Sequence, residues 1–524
     1  MILKKKDTNN YLKVFSLIII CFYSFFINFY YSNFGVFPID TFLHYDSGYR
    51  ILKNEFPIRD YWIVSGFIVD FIQAFFFKIF GINWVSYKIH SSLFNLVVSI
   101  SAFYFFLNLN LGNLKSLIYS ISFATLAYTI SGTPFVDQHA SFFLLLSTFA
   151  IIIAFKKGKE KYFWPISILL FFFSFLSKQV PALYTLILQG PIIIYYLYSK
   201  KKLQNLKIIF LSVLIIFVSF LIILILLDIS FRLFLTEFII YPTEIGSDRL
   251  NLFNLSFESF FNKYKFILIP ITICIIIGLL NRFKKDYFSF TFDTLKFLLI
   301  LSLSVGLLTH QLMTKNQIFI YFLIPILFSF LDKNLNNVFK KRKKLISLVL
   351  LSLIILITTK YHLRFNENRK FHELEHMNFE ESVNAEIIDN SLKGNLWINP
   401  SHTGSALEEV LKIKESIKEI EKEKEEIMLI TNYSFIDSIT KKNMNMPNKA
   451  FTMDGTTHPR SNNKRSKYYK KFINNLIKKN NIKKIFFLKH EQLPSMIITE
   501  YINKGCYDYE ENQLFYIFKV KCSK

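Results

Sequence analysis

Charged residues are scarce in this chain. They make up 19% of its 524 residues, against about 25% in an ordinary soluble domain. Glycine and proline are also few, with 15 and 13 residues, which excludes a collagen-like or low-complexity chain. Four cysteines in this length exclude a small disulfide-stapled fold, and they form no CxxC pair of the kind that holds zinc. The sequence also shows no internal repeat.

Apolar and aromatic residues are abundant instead. Hydrophobic residues reach 52%, with 61 Phe and 28 Tyr. Length alone would suggest three or four soluble domains of about 150 residues each. The apolar residues nevertheless fall in long runs, such as Ile208 to Leu227, with almost no polar interruption. The core of a soluble protein does not need so many uninterrupted apolar runs, and its surface would not tolerate them in water. The pattern therefore predicts an all-α polytopic membrane protein.

The apolar runs predict about eleven transmembrane helices. A helix needs about 20 apolar residues, with a range of about 17–25, to cross the hydrocarbon core, and several of these runs are shorter. The predicted spans are 15–31, 85–107, 114–130, 140–155, 162–176, 182–198, 208–227, 266–280, 295–312, 318–331 and 345–358.

Clusters of Lys and Arg between the runs indicate the orientation of the spans. The net charge of +24 comes from 62 basic and 38 acidic residues, and it could indicate a nucleic-acid partner. Membrane orientation explains it better, because cytoplasmic loops are enriched in Lys and Arg. With the N-terminus in the cytoplasm and the first span uncleaved, every strong cluster falls inside: 156–161, 200–202, 282–285 and 340–344. We expect a multi-pass protein of the cell membrane, in bacteria the inner membrane.

The segment that follows the last span is polar and alternates helix and strand patterns. An odd number of spans places residues 360–524 outside the cytoplasm, where we expect a small α/β domain. Helices are predicted at 408–426, 467–479 and 495–503, and strands at 427–431, 485–488 and 514–520. In an oxidising compartment Cys506 and Cys522 would be able to form a disulfide. Two unrelated thiols are an equal alternative.

The first outer loop, residues 32–84, gathers acidic side chains just after the first span. Asp40, Asp46 and Asp60 lie within two dozen residues, together with a histidine and two arginines. The stretch 64–80 then places apolar residues at 64, 68, 71, 75 and 79, a helical stripe typical of a helix that lies on the membrane surface. A tilted extra span is the alternative, although it would invert every downstream loop and destroy the charge pattern.

This layout resembles the GT-C superfamily of glycosyltransferases that use polyprenyl-phosphate sugars, in particular the protein mannosyltransferase and lipid A aminoarabinose transferase group. The segments Asp46-Ser47-Gly48-Tyr49 and Phe56-Pro57-Ile58-Arg59-Asp60 are similar to the family's acidic motif after the first span. One Asp stands here for the family's acidic pair, and Tyr61-Trp62-Ile63 stands for its His-Pro-Pro. The resemblance covers about Lys13 to Lys360.

The resemblance implies an integral membrane glycosyltransferase that moves a monosaccharide from a polyprenyl-phosphate carrier to a lipid, glycan or protein acceptor. Such a reaction needs a carboxylate that accepts the proton of the acceptor hydroxyl. Negative charge nearby also stabilises the oxocarbenium-like transition state. We assign the base to Asp46 with Asp60 as its partner, and Asp40 is the alternative base. A single base with a phosphate leaving group implies inversion. For each Asp, a solvated loop or a helix cap is the structural alternative.

The phosphate of the donor requires cations on the outer face. Lys178, Arg249, Lys315 and Arg59 are the candidates, because basic residues are otherwise disfavoured on that side and phosphate is their natural partner. Snorkelling of these side chains to the headgroups is the alternative. Asp137 and His139 form a candidate site for a divalent metal ion, although Asp137 as a helix N-cap explains the same pattern.

Three other classes of protein compete with the glycosyltransferase. A lipid-linked sugar flippase or another transporter would place ionisable residues in the middle of its spans, and these spans have almost none. A polysaccharide polymerase or ligase is also polytopic with a large outer loop, but it does not require the Asp46 and Asp60 motif. A sensor would need a cytoplasmic output domain, and no segment of the sequence resembles one.

Overall fold

The protein is described from a computed structural model. The structure describes residues 2–127, 132–251, 257–283, 290–314, 319–440, 442–452, 455–491 and 495–522.

Long helices dominate the first 362 residues. A helix lies at each of the eleven predicted positions, and several further helices fill the outer loops. The helices of this part are α1 Ile2–Tyr31, α2 Pro38–Thr41, α3 Leu43–Leu52, α4 Phe67–Phe80, α5 Trp84–Asn108, α6 Asn113–Ala127, α7 Val136–Ala154, α8 Glu160–Ser177, α9 Gln179–Ser199, α10 Gln204–Leu226, α11 Phe231–Phe234, α12 Tyr241–Asn251, α13 Phe257–Phe283, α14 Phe292–Thr314, α15 Leu323–Val338 and α16 Lys343–His362.

Eight helices of the described chain are long and apolar enough to cross a membrane. They are Asn10–Tyr31, Trp84–Asn108, Val136–Ala154, Gln179–Ser199, Gln204–Leu226, Phe260–Leu280, Phe292–Thr314 and Lys340–Glu367. Three of the eleven predicted spans fall short of this standard. Helices α6 and α15 have only 15 and 16 residues, and α8 begins with Glu160 and Lys161, which make its first turn polar.

The ends of the long helices form two sets. At one end of the bundle, the C-terminus of α5 meets that of α7, where Lys156 Nζ donates to Asn108 Oδ1 at 2.8 Å. At the other end, Tyr31 OH of α1 lies 3.3 Å from His362 Nε2 of α16. The loops that carry the Lys clusters 156–161, 200–202 and 340–344 lie at the end of the bundle where Lys156 contacts Asn108. The first outer loop and the described part of residues 363–522 lie at the end where Tyr31 contacts His362.

The first outer loop folds into α2, α3 and α4. Two residues of the apolar stripe predicted at 64–80, Phe75 and Ile79 on α4, have more than half of their surface accessible, whereas Ile68 and Phe71 are half-buried. The polar residues of the same helix, Asp70 and Gln73, are fully buried. The buried face of α4 therefore combines these two polar side chains with apolar ones: Phe67, Val69, Ala74, Phe76 and Phe77.

The C-terminal region contains a mixed sheet between helices. It comprises α17 Ala406–Lys422, α18 Ile436–Ile439, α19 Ser466–Lys479, and strands β1 Val383–Asn384, β2 Leu396–Trp397, β3 Ile427–Ile430, β4 Lys484–Leu488, β5 Tyr507–Glu511 and β6 Phe515–Val520. Strands β1 and β2 pair by themselves, and the larger sheet has the order β3-β4-β6-β5. Strand β3 runs parallel to β4, and the other pairs are antiparallel. The sequence predicted β3, β4 and β6 but not β5, which is mostly exposed and charged.

The C-terminal region shares its core with the first outer loop. Phe42 stacks on Trp397 with 5.8 Å between ring centroids and lies 4.5 Å from the ring of Phe435. Backbone hydrogen bonds add to this contact, for example from Trp62 N to Pro447 O at 2.8 Å. Because aromatic burial and backbone pairing both cross the interface, the two parts stabilise one another.

Cys506 and Cys522 form a disulfide, with their Cα atoms 4.8 Å apart. The bond joins the residue before β5 to the segment after β6, next to the backbone hydrogen bond from Lys521 N to Cys506 O. Of the two alternatives left open by the sequence, the structure has the disulfide. Cys21 and Cys274 are free thiols in α1 and α13.

Candidate active site

A cavity of about 580 Å³ opens where the outer loops meet the helix bundle. Its size lies within the roughly 300–1,000 Å³ typical of sites for small molecules. Its walls come from α2, α7, α9, α12, α14 and residues Ala450, Thr452, Thr456 and Thr457 of the C-terminal region. The polar side chains that line it are Asp40, Ser65, Asp137, Lys178, Gln179, Tyr184, Thr243, His310, Thr314, Thr452, Thr456 and Thr457.

Asp137 is the centre of the polar wall. It lies in the first turn of α7 and is almost fully buried. Lys178, which separates α8 from α9, donates to both carboxylate oxygens of Asp137 at 2.8 Å. His310 Nε2, near the end of α14, lies 2.6 Å from Asp137 Oδ1. Three helices distant in sequence thus bring one acidic and two basic side chains together, and each buried charge has a partner.

Asp40 faces the same cavity from α2. Its helix begins with Pro38 at its first position, where proline favours helix formation. Burial and then the negative charge of Asp137 raise the pKa of Asp40 to about 7, and Lys178 opposes the shift. A carboxyl group with such a pKa exchanges its proton near neutral pH.

Gln179 fixes the wall beside Lys178. Its side-chain Nε2 donates to Val64 O at 3.0 Å and to Phe238 O at 2.5 Å. Phe238 lies in a π-helical turn, Leu235–Ile240, and such turns occur frequently at functional sites. The amide therefore joins the start of α9 to the first outer loop and to the chain before α12.

The structure places Asp46 away from this cavity. Asp46 is 1% exposed within α3, under the C-terminal region. Neither of its carboxylate oxygens has a hydrogen-bond partner among the described residues. Burial, and then the nearby Asp437, raise the pKa of Asp46 well above its usual range. Asp46 does not line the cavity, and its role as a base stays a prediction.

Asp60 and Arg59 form part of a surface ion-pair network instead. Arg59 Nε lies 2.8 Å from Asp60 Oδ2, and Lys479 Nζ lies 3.0 Å from Asp60 Oδ1. Burial acts to raise the pKa of Asp60, but the hydrogen bonds from Arg59, from Phe56 N and from Lys479 lower it below its usual value. Neither Asp60 nor Arg59 lines the cavity, so the structure does not bring them together with Asp40 or Lys178.

The predicted metal pair is separated. His139 lies on α7 like Asp137, but its Nε2 is 3.0 Å from His90 Nε2 and its Nδ1 is 2.9 Å from Phe135 O. Asp137 forms an ion pair with Lys178, so the ammonium group lies where a metal ion would have to bind the carboxylate. In the part of the chain that the structure describes, no group of three or more His, Cys, Asp or Glu side chains is arranged to hold a metal ion. The donor set does not fit the predicted divalent cation.

The other two predicted phosphate ligands fall beyond what the structure describes. Lys315 lies outside the described residues, and Arg249 belongs to α12 with its side chain outside them. The sequence analysis singled out Lys315 but not His310, which lies five residues earlier. The feature that would have identified His310 is its position near the end of an apolar helix, where an ionisable residue is costly without a partner.

Fold and cavity together define a mostly helical protein with helices apolar enough to cross a membrane and, at one end of the bundle, a largely apolar cavity that contains a cluster of polar side chains. The chain matches no family model, and no curated protein matches it.

Proposed function

We propose that the protein is a glycosyltransferase that takes a monosaccharide from a polyprenyl-phosphate carrier and transfers it to an acceptor hydroxyl, with inversion. The observation that carries the proposal is the meeting of Asp40, Lys178 and His310 in one cavity. A carboxyl group that titrates near neutral pH and two hydrogen-bond donors, one of them the ammonium group of Lys178, are the components that such a reaction needs.

Asp40 serves as the general base. It accepts the proton of the acceptor hydroxyl while the acceptor oxygen forms its bond to the anomeric carbon and the bond from that carbon to the phosphate oxygen breaks. A base acts best when its pKa lies near the working pH, and the pKa of about 7 for Asp40 meets this condition. Asp40 is the alternative base of the sequence analysis, and we prefer it because it lines the cavity and Asp46 does not.

Lys178 and His310 stabilise the leaving phosphate. The electron pair of the broken bond stays on the phosphate oxygen, whose growing negative charge calls for cationic hydrogen-bond donors. Asp137 holds both side chains on the cavity wall at 2.6–2.8 Å. Fixed donors of this kind cost no reorganisation during the reaction.

The surroundings of the cavity suit a lipid carrier. Val180, Leu183 and Met313 add apolar surface to its lining. On α9, Leu183, Leu186 and Ile187 are largely exposed, so the cavity lies beside a helix face that lipid would cover. An isoprenoid chain would thus remain in the hydrocarbon region while its phosphate reaches Lys178.

The orientation of the protein in the membrane is inferred from the positions of its Lys clusters and from its disulfide. We propose that all eleven predicted spans cross the membrane, the three shorter ones included, from an inside N-terminus. This orientation would put the Lys clusters in the cytoplasm and the cavity, with the C-terminal region, on the outside of the cell membrane. The disulfide between Cys506 and Cys522 supports this assignment, because disulfides persist in oxidising compartments outside the cytoplasm.

The position of the ionisable groups favours a transferase over a flippase. The residues of the polar cluster lie at helix ends on one side of the bundle, whereas a transporter places its substrate groups near the middle of the membrane. A polymerase or ligase remains the competing enzyme, and it differs in taking a lipid-linked oligosaccharide as its donor.

The proposal is tested with the purified full chain in proteoliposomes. Polyprenyl-phosphate monosaccharides with different radiolabelled sugars are supplied together with a lipid extract and a glycan extract of the source cells. We expect loss of label from the carrier and its appearance in one acceptor fraction. Transfer only from lipid-linked oligosaccharides would favour the polymerase, and no transfer above protein-free vesicles would overturn the proposal.

A further inference from the structure

The C-terminal region contains a second polar pocket at the carboxyl ends of two adjacent parallel strands. Strand β3 continues into Thr431, Asn432 and Tyr433, and β4 continues into His490 and Glu491. Because β3 and β4 are parallel neighbours, these side chains meet at one edge of the sheet. In α/β folds ligands bind at this edge, in the crevice beyond the strand ends.

The pocket combines ring faces with hydrogen-bonding groups. Its volume is about 210 Å³, smaller than the roughly 300–1,000 Å³ of sites for drug-sized ligands, so it admits a single small ring. Its lining consists of Phe37, Pro38, Ile39, Asn399, Ser401, Asn432, Tyr433, Phe451, His490 and Glu491. The rings of Tyr433 and His490 lie 5.7 Å apart.

His490 is the unexplained side chain of this pocket. Both of its ring nitrogens are buried and neither has a hydrogen-bond partner among the described residues. A buried polar atom without a partner costs free energy, and a native protein retains few of them. The imidazole can both donate and accept a hydrogen bond, so a ligand with hydroxyl groups would satisfy it.

The neighbouring polar groups are held in place. Glu409 accepts hydrogen bonds from Tyr433 OH at 2.6 Å and from Asn399 Nδ2 at 2.7 Å. Glu491 accepts hydrogen bonds from Thr431 Oγ1 at 2.6 Å and from Asn432 N at 2.5 Å. Rigid polar groups beside an aromatic face give a binding site its specificity.

The groups that line this pocket carry little net charge. Burial lowers the pKa of His490 to about 4 and raises the pKa of Glu491 to about 8, so both side chains are neutral at pH 7. An anion would find no cation here, and a cation would find no ionised carboxylate among the lining residues. A neutral polyhydroxylated ligand matches the pocket, because its hydroxyl groups pair with the unpartnered ring nitrogens of His490 and its C–H face packs on the aromatic ring of Phe37, whose face carries partial negative charge.

The pocket shares a wall with the candidate active site. Ile39 lines both cavities, and it is the residue before Asp40. The segment 450–452 also separates the two cavities. Ala450 and Thr452 line the active-site cavity, while Phe451 lines the second pocket. A saccharide bound in the second pocket therefore lies beside the residue that we propose as base.

We propose that this pocket is a saccharide subsite that holds one sugar ring of a glycan acceptor, with His490 as the hydrogen-bonding residue and the half-buried ring of Phe37 as the packing surface. The inference rests on the proposed function and names its acceptor class: a glycan whose neighbouring unit extends past Ile39 toward Asp40.

Saturation-transfer NMR on the full chain in detergent micelles tests the subsite. The probes are maltose, lactose and chitobiose at millimolar concentration. We expect magnetisation transfer to at least one of them, and about tenfold weaker binding in His490→Phe. This variant keeps an aromatic ring and removes both hydrogen-bonding nitrogens, and a tenfold change corresponds to about 1.4 kcal/mol.

A second variant and a control complete the experiment. Ser401 is exposed at the pocket, so Ser401→Trp should block it without disturbing the core even where His490→Phe fails to fold. Asp40→Asn should abolish sugar transfer and keep saccharide binding, which separates failure of the subsite from failure of the enzyme. No transfer of magnetisation to any probe, or equal binding by the parent and both pocket variants, would overturn the proposal.

Discussion

Lys449 Nζ lies 2.7 Å and 2.8 Å from the two carboxylate oxygens of Asp70. The two residues are 379 positions apart, and both are buried. His44 Nδ1 contacts the same carboxylate at 2.7 Å. The contact connects the C-terminal region to α4 of the first outer loop, and it lies close to the cavity wall, because Ala450 follows Lys449 and lines the cavity.

Removing one member of this pair should loosen the C-terminal region. Lys449→Met leaves the carboxylate of Asp70 buried without its cation, which in buried ion pairs costs about 3–5 kcal/mol. We expect faster proteolysis of residues 363–524 and a lower unfolding temperature of the purified protein.

The double variant Asp70→Asn/Lys449→Met is the matched control. Because it removes both charges, its loss of stability should be smaller than the sum of the two single losses. Additive losses would show that the two side chains do not interact.

Thiol labelling tests the disulfide and the compartment of the C-terminal region. In protein denatured without reductant, a maleimide-polyethylene glycol reagent should modify two cysteines, Cys21 and Cys274. After reduction it should modify four, and Cys506→Ser/Cys522→Ser should show two under both conditions. Four modified cysteines without reduction would contradict both the disulfide and the outer location.

The sequence predicts the helices better than the site. Apolar runs locate the bundle because a span is a local pattern of about 20 residues, and the apolar stripe at 64–80 predicts α4. The active-site cluster is not local, since Asp137, Lys178 and His310 meet only after three helices have packed.

Asp46 is buried under the C-terminal region and does not line the cavity that Asp40 faces. Its motif lies after the first span, where a catalytic acid is expected, but the C-terminal region covers it. Arg50, on the same helix, donates from Nη1 to Met446 O at 2.8 Å. No pattern within residues 40–60 shows that a segment 400 positions later folds over this helix, so the sequence cannot distinguish Asp46 from Asp40.

The pH dependence of transfer should report Asp40. The base must be deprotonated, so the rate should fall as the pH drops through about 7, where the raised pKa of Asp40 lies. Lys178 lowers that pKa, so Lys178→Met should move the acid limb to higher pH and weaken binding of the donor. The profile of kcat/KM against pH measures both effects. An acid limb near pH 4 in the parent protein would exclude Asp40 as the titrating group.

Transfer by Asp40→Asn compared with Asp46→Asn is the measurement that tests the account most directly. Both substitutions keep the size of the side chain and remove its acidity, and reconstituted protein is compared at equal amounts after size-exclusion chromatography. We predict that Asp40→Asn lowers the rate of sugar transfer by about 10²–10⁴-fold, the usual contribution of a general base, while Asp46→Asn stays within about threefold of the parent, because Asp46 does not line the cavity. Full activity of Asp40→Asn, with or without loss in Asp46→Asn, would contradict the assignment of the cavity as the active site.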